Sequence, residues 1–217
     1  LLPLVSKAKA GKGEEAVFGL FSNGVVTARD EWVYDVDSQN LATKVKYLIR
    51  IYNHEVDKHT GKTRQEIADR VDYSIKWTRA VKNDLAKGKK YEFDPNLVID
   101  SVYRPFVKRK LYFSRELNEM QYQLPVIFPP KQANLVMAFR CVSAEHFVIL
   151  ATNSLYDYAY LKMGNGGTFG LPLYRYDKNG KRLDNITDWA LQRFKDHYSS
   201  NLTGLEDLSG LQKLDIF

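Results

Sequence analysis

The residues able to do chemistry in this 217-residue chain are few, and their spacing does not assemble them. The histidines, His54, His59, His146 and His197, are scattered and show no H-E-x-x-H pairing. The single cysteine, Cys141, can form neither an internal disulfide nor a structural zinc site, and it reads as a buried, inert thiol suited to a reducing cytoplasm. Thr60-Gly61-Lys62-Thr63 copies the end of a phosphate-binding loop. Yet the earlier glycine would have to stand at Val56, and the segment falls in a turn between expected helices. Gly164–Gly170 carries four glycines without the strand–loop–helix context of a dinucleotide site, so a mobile loop is expected. No nucleophile–base pair and no acidic cluster for two-metal chemistry stands out. The expectation is a chain that is not itself a catalyst and holds no cofactor or metal of its own.

Positive charge beside aromatic rings is what the chain does concentrate. Val102–Phe113 packs four cations (Arg104, Lys108, Arg109, Lys110) and four aromatics (Tyr103, Phe106, Tyr112, Phe113) into twelve residues without an acid. Pro105 lacks an N–H and biases Arg104 toward extended geometry, so a strand should end there and a second one follow. A second basic run covers Lys76–Lys90, with Lys76, Arg79 and Lys82 along one side of an expected helix and Asp84 as its one acid. Cations for phosphates and rings for sugars or bases are what a nucleic-acid surface uses. The net charge of +6 permits that reading without requiring it.

The elements that must position these residues follow from periodicity. Residues 1–17 form a small, basic, flexible lead-in. Phe18–Phe21 and Val25-Val26 read as two strands around an Asn23-Gly24 turn, and residues 27–34 as a loop entering a strand. Ser38 caps a helix over Gln39–Lys58, with Leu41, Val45, Leu48, Ile49, Tyr52 and Val56 on one face. Thr63 caps a short helix over Arg64–Arg70. Asp72 or Ser74 starts another over Ile75–Ala86, which closes at Gly88 and buries Ile75, Thr78, Val81 and Leu85. Strands follow at Leu97–Val102, at Leu111–Phe113 beyond the proline, and at Val126–Phe128, Leu135–Val142, Phe147–Thr152 and Phe169–Tyr176. Leu155–Leu161 fits helix or strand. Asn185 or Thr187 caps a helix to about Tyr198, with Leu205–Phe217 helical beyond it. Trp32, Trp77 and Trp189 read as core. The fold class is α+β, a mixed, mostly antiparallel sheet with a helical N-terminal half and C-terminal helices. One domain, 18–217, is expected, helix-rich over 36–100, strand-rich over 101–176, and helical again over 185–217. No run of apolar residues is long enough to cross a membrane. The first residues, Leu1-Leu2-Pro3-Leu4, and the uncapped end at Phe217 read as cuts in a longer polypeptide.

Seven stretches occur in an order that carries a resemblance. They are T-A-R-D-E-W-V-Y-D (27–35), K-Y-L-I-R-I-Y-N-H-E-V (46–56), I-K-W-T-R-A-V-K (75–82), S-V-Y-R-P-F-V-K-R-K-L-Y-F (101–113), Q-L-P-V-I-F-P (123–129), G-G-T-F-G-L-P-L-Y-R-Y (166–176) and N-I-T-D-W-A-L (185–191). Together they resemble the C-terminal specificity region of type ISP restriction–modification enzymes, single polypeptides that join a nuclease, a helicase-like motor, an N6-adenine methyltransferase and a target-recognition domain. The resemblance implies that this chain is the target-recognition domain. It would read a short site in double-stranded DNA for the methyltransferase beside it, in a cytoplasmic enzyme whose other parts use S-adenosylmethionine, ATP and Mg2+. The residues expected at DNA are Arg29, Lys76, Arg79, Lys82, Arg104, Lys108, Arg109 and Lys110. For two of them an alternative stays open: Arg29 pairs with Asp30, or Arg104 with a carboxylate. Base readers are expected on loops, with 164–168 and 114–123 as candidates. A module for RNA or single strands, or a protein-docking domain, would use the same basic and aromatic residues.

Overall fold

The computed structural model describes residues 15–67, 71–72, 74–140, 147–161, 166–201 and 210–217. Cys141, His146, most of the 1–17 lead-in, residues 162–165 with the first two positions of the glycine loop, and residues 202–209 lie outside them. The chain divides into two compact units. One is residues 25–121; the other joins the stretch before residue 25 to residues 122–217.

The first strand, β1 (Ser22–Asn23), belongs to the second of these units. The chain then enters residues 25–121 through α1 (Asp30–Val33) and β2 (Tyr34–Asp35), where the sequence suggested only a loop and a strand. The organising element is α2 (Ser38–His59). Its cap is Asp37, one residue ahead of the expected Ser38, and the Asp37 carboxylate accepts the Asn40 N–H at 2.8 Å. Leu41, Val45, Leu48, Ile49, Tyr52 and Val56 are all buried, as the helical spacing predicts. Burial of each such side chain stabilises the unit by roughly 1.5–3 kcal/mol. At its end Gly61 adopts φ +84°, a left-handed conformation that glycine takes without penalty. Thr63 then opens α3 (Arg64–Ile67) by exchanging hydrogen bonds with Glu66. Thr60–Thr63 is therefore a connection between two helices, not a phosphate loop.

The next helix, α4, covers Arg79–Ala86 rather than Ile75–Ala86, with Thr78 at its N-cap position. Asp72 and residues 74–77 are held out of the helix by local bonds. The Asp72 carboxylate accepts the Ser74 N–H at 2.7 Å, and Trp77 Nε1 donates to the Asp72 carbonyl at 2.6 Å. Ile75, Val81 and Leu85 are buried as expected. Beyond a 3-10 turn at Pro95–Leu97 come β3 (Val98–Arg104) and β4 (Val107–Tyr112), an antiparallel hairpin. β4 also pairs with β2, so the three strands run β2-β4-β3. α2 packs against α4, β3 and β4 alike, so one helix supports both basic stretches.

In the other unit the chain resumes with α5 (Leu124–Ile127), a helical turn where a strand was expected at Val126–Phe128. Pro125 sits in its first turn, where a missing N–H costs nothing. β5 (Val136–Arg140), β6 (Ile149–Thr152), β7 (Leu155–Tyr156) and β8 (Thr168–Pro172) follow. Then come the hairpin β9 (Tyr174–Tyr176) and β10 (Arg182–Asp184), and the helices α6 (Asp188–Asn201) and α7 (Lys213–Ile216). A four-stranded sheet runs β1-β8-β5-β6. The expected hairpin around Asn23-Gly24 is not formed: β1 pairs with β8, while Val26 bridges Met120. Gly24 serves close approach instead. A Cβ there would stand 2.4 Å from the Asp157 carbonyl oxygen. Val17, Phe18, Phe169, Leu171, Ile186 and Ala190 make a buried cluster, with Trp189 and Phe217 packed against it. The described strand pairs named above are all antiparallel, and the chain is α+β as its sequence predicts.

Candidate nucleic-acid interface

All eight cations singled out from the sequence fall within residues 25–121, and the structure sorts them into three kinds. Lys76, Arg79, Lys82 and Lys108 make no ion pair among the described residues; Lys76, Arg79 and Lys108 are exposed and Lys82 half-buried. Arg79 opens α4 and Lys82 lies one turn on, so both emerge from the same side of that helix. Lys76 precedes the helix and is carried by the segment 74–77 rather than by helical spacing. Elsewhere in the run, Lys89 meets Glu116 at 3.1 Å and Asp84 at 3.6 Å, and Lys90 meets Asp57 at 2.7 Å.

The second kind is committed to neighbours on the hairpin. Side chains alternate along β4, so Lys108 and Lys110 share one face and Arg109 takes the other. Asp100 lies directly opposite Lys110 on β3, and their charged atoms meet at 2.7 Å. The β3–β4 register slips between Val102 and Arg104, leaving Tyr103 as an extra residue in a bulge. That bulge turns the ring into a platform. The Arg104 guanidinium lies 3.9 Å and the Arg109 guanidinium 4.5 Å from its centroid. Tyr103 also meets Tyr34 edge-on at 4.8 Å, and its hydroxyl donates to the Asp30 carboxylate at 2.8 Å. Arg104 is thus held by a ring and by the Tyr103 carbonyl at 2.5 Å.

Arg29 is the third kind. It is 1% exposed, and its Nη2 donates to the Thr78 hydroxyl at 2.6 Å beneath the start of α4. It does not pair with Asp30, whose carboxylate is taken by Thr27 and Tyr103. Among the described residues its Nε and Nη1 have no hydrogen-bond partner. Burial lowers its pKa from the ordinary arginine value, against the attraction of Tyr91, Glu119 and Glu31. Arg29 is therefore a cation of the interior, positioned to fix Thr78 and the beginning of α4.

Sequence reasoning passed over a further basic and aromatic face. Lys46, Tyr47 and Arg50 are exposed on α2, with Lys46 4.9 Å from the Phe93 ring and Arg50 5.1 Å from the Tyr47 ring. Trp32 stacks on Tyr47 within 5° of parallel, at 6.1 Å. The outward positions of α2 carry this signal, beside the apolar stripe that the helix buries. The loop candidates divide. Of 164–168, positions 164–165 lie outside the described residues and Gly167 and Thr168 are buried at the start of β8, whereas 114–123 buries Ser114, Leu117, Asn118 and Gln121 and leaves Arg115, Met120, Tyr122 and Gln123 exposed. At the hairpin tip Phe106 is 92% exposed with φ +63°. Among the described residues no group of His, Cys, Asp or Glu could hold a metal ion, and no helix is long and apolar enough to cross a membrane.

A family model for the Type ISP C-terminal specificity domain matches residues 16–217. The chain belongs to that family. Solved structures resemble this specificity domain over most of its length. The DrdV–DNA complex is 39% identical with a TM-score of 0.87, covering 100% of this chain and 20% of that one. A nuclease-deletion mutant of the Type ISP restriction-modification enzyme LlaGI, in complex with a DNA substrate mimic, is 27% identical with a TM-score of 0.75, covering 92% of this chain and 16% of that one. The ATP-dependent Type ISP enzyme LlaBIII, bound to DNA, shares the fold at 23% identity with a TM-score of 0.78, covering 94% and 13%. The specificity domain thus spans a fifth or less of the chains it matches. No curated protein matches it.

Proposed function

We propose that this specificity domain binds double-stranded DNA and reads the target site of a single-chain restriction–modification enzyme, presenting it to an adjacent N6-adenine methyltransferase. The observation that carries the reading is the set of cations left without carboxylate partners. Lys76, Arg79, Lys82 and Lys108 make no ion pair among the described residues and can meet phosphates, whereas Lys89, Lys90 and Lys110 meet carboxylates. Phosphate contacts of this kind supply affinity and orientation but no sequence information. Arg104 and Arg109 act on the DNA from the Tyr103 platform, which limits their rotamers before binding. Lys110 contributes less, because Asp100 offsets its charge. Arg29 is not a contact in this reading; it positions α4.

The reading places the chain in a cytoplasmic enzyme whose other domains, a helicase-like motor among them, use S-adenosylmethionine, ATP and Mg2+. Those groups belong to the rest of the polypeptide. Titration of the chain with duplex and single-stranded DNA of the same sequence, over a series of salt concentrations, tests the reading. Preference for the duplex with a steep salt dependence is expected. Preference for single strands would favour a stacking module, and flat salt dependence would remove the phosphate contacts.

A further inference from the structure

The β3–β4 turn consists of Pro105 and Phe106, since Arg104 and Val107 are the last paired residues on either side. Pro105 presets the first turn position, and the second takes φ +63°. That second position suits glycine or asparagine; a phenylalanine there pays a backbone cost. The fold recovers nothing from the ring, which is 92% exposed, with Val107 beside it at 41%. A large apolar side chain is therefore held, against both backbone preference and solvation, at the apex of a hairpin. The surroundings of that apex are cationic. From Ser101 to Arg115 the chain carries Arg104, Lys108, Arg109, Lys110 and Arg115 and no acid. An apolar apex on a basic two-stranded ribbon complements a polyanion with an apolar interior. Duplex DNA is such a polyanion. Its major groove admits a two-stranded ribbon, and apolar side chains act as wedges between base steps in proteins that deform DNA.

We propose that the β3–β4 turn enters a groove of the duplex and that Phe106 inserts against the base stack, with Lys108 on the neighbouring phosphates. Pro105 keeps the tip rigid, so the ring is presented without the entropy cost of ordering a loop. Phe106 contributes through contact with bases rather than through charge. Its removal should therefore weaken binding without altering the number of counterions released.

The inference rests on the DNA-binding reading, and one experiment separates the two. Wild type, Phe106→Ala, Phe106→Gly and Lys76→Ala/Arg79→Ala/Lys82→Ala are titrated with labelled duplex DNA at several salt concentrations, and their melting temperatures are recorded. Phe106→Ala and Phe106→Gly should lose about tenfold in affinity, the scale of one base–aromatic contact, at an unchanged log–log salt slope. Phe106→Gly should at the same time melt higher than wild type, because it relieves the left-handed strain. Gain in stability with loss of binding excludes misfolding as the cause. Duplex affinity of Phe106→Gly equal to wild type would overturn the insertion, as it would if the ring seats on another protein surface. Salt-insensitive or absent duplex binding by wild type itself would overturn the DNA reading as well.

Discussion

The α4 flank and the β3–β4 hairpin hold their cations in two different ways. On α4, Arg79 and Lys82 project from an eight-residue helix that is buried through Val81 and Leu85, and neither makes an ion pair among the described residues. On the hairpin, register decides each neighbour. Asp100 stands across from Lys110, and the bulge at Tyr103 sets a ring beneath Arg104 and Arg109. A helix surface leaves a long cationic side chain its rotamers and its charge. A paired strand fixes what lies opposite, about 5 Å away, and can use that partner to aim or to neutralise. The flank is a set of mobile point charges; the hairpin is a pre-aimed set in which Lys108 alone is uncommitted. For a duplex, the first arrangement suits non-specific grip and the second suits orientation.

Breaking the flank should have the largest effect on binding. Neutralising Lys76, Arg79 and Lys82 to alanine lowers the log–log salt slope of duplex affinity by about three units, for specific and non-specific DNA alike. A loss confined to one sequence would show that these residues read bases instead. The hairpin breaks at its platform. Tyr103→Ala removes the ring beneath two guanidiniums, the contact with Tyr34 and the bond to Asp30, and should cost about 2–3 kcal/mol in chemical denaturation. Tyr103→Phe keeps the stacking and should cost about 1.5 kcal/mol, the worth of one hydrogen bond to a charged group. If the two variants denatured alike, the ring would not be the platform.

Within the hairpin, Lys108→Met should reduce the salt slope by about one unit and Lys110→Met by less, because Lys110 enters the complex already paired. Asp100→Asn should free Lys110 and raise affinity. Equal slopes for Lys108→Met and Lys110→Met would erase the distinction between open and committed cations. The smallest effect concerns Asp35, on the strand that pairs with β4. A hydrogen bond from Lys44, with one from the Asp37 N–H, holds the Asp35 carboxyl below its ordinary range. A lowered carboxylate pKa stabilises the folded state above the unfolded value, about pH 4, and that contribution is lost as pH falls through the folded value. Lys44→Met should therefore remove about 0.5 kcal/mol of pH-dependent stability at neutral pH, since the pair is partly exposed, and the difference from wild type should shrink as pH falls below about 4. Denaturation curves at pH 7 and pH 3 measure the difference.

Much of this was legible one residue at a time. The apolar spacing of α2, the closing role of Gly88 with φ +68°, the α+β class and the family resemblance all come from patterns within about twenty residues, or from their order along the chain. Boundaries drifted where side chains competed for backbone groups: Asp37 took the cap from Ser38, and Asp72 delayed α4 to Arg79. The larger misreading was of partners. Asn23-Gly24 carries a hairpin signal, yet β1 finds β8 more than 140 residues away, and Gly24 instead lets the backbone pass close to Asp157 and Tyr158.

The sequence by itself determined where the positive charge lies and beside which aromatics. Only the tertiary structure decided which of those charges are available. Arg29 and Arg79 are the same residue type; one is 1% exposed beneath Thr78 and the other stands in solvent. Lys108 and Lys110 share a strand face; one is open and the other meets Asp100. A side chain's type is local information. Its burial and its partner are set by register, by a bulge and by a helix packed across the chain, and these depend on residues far apart in sequence.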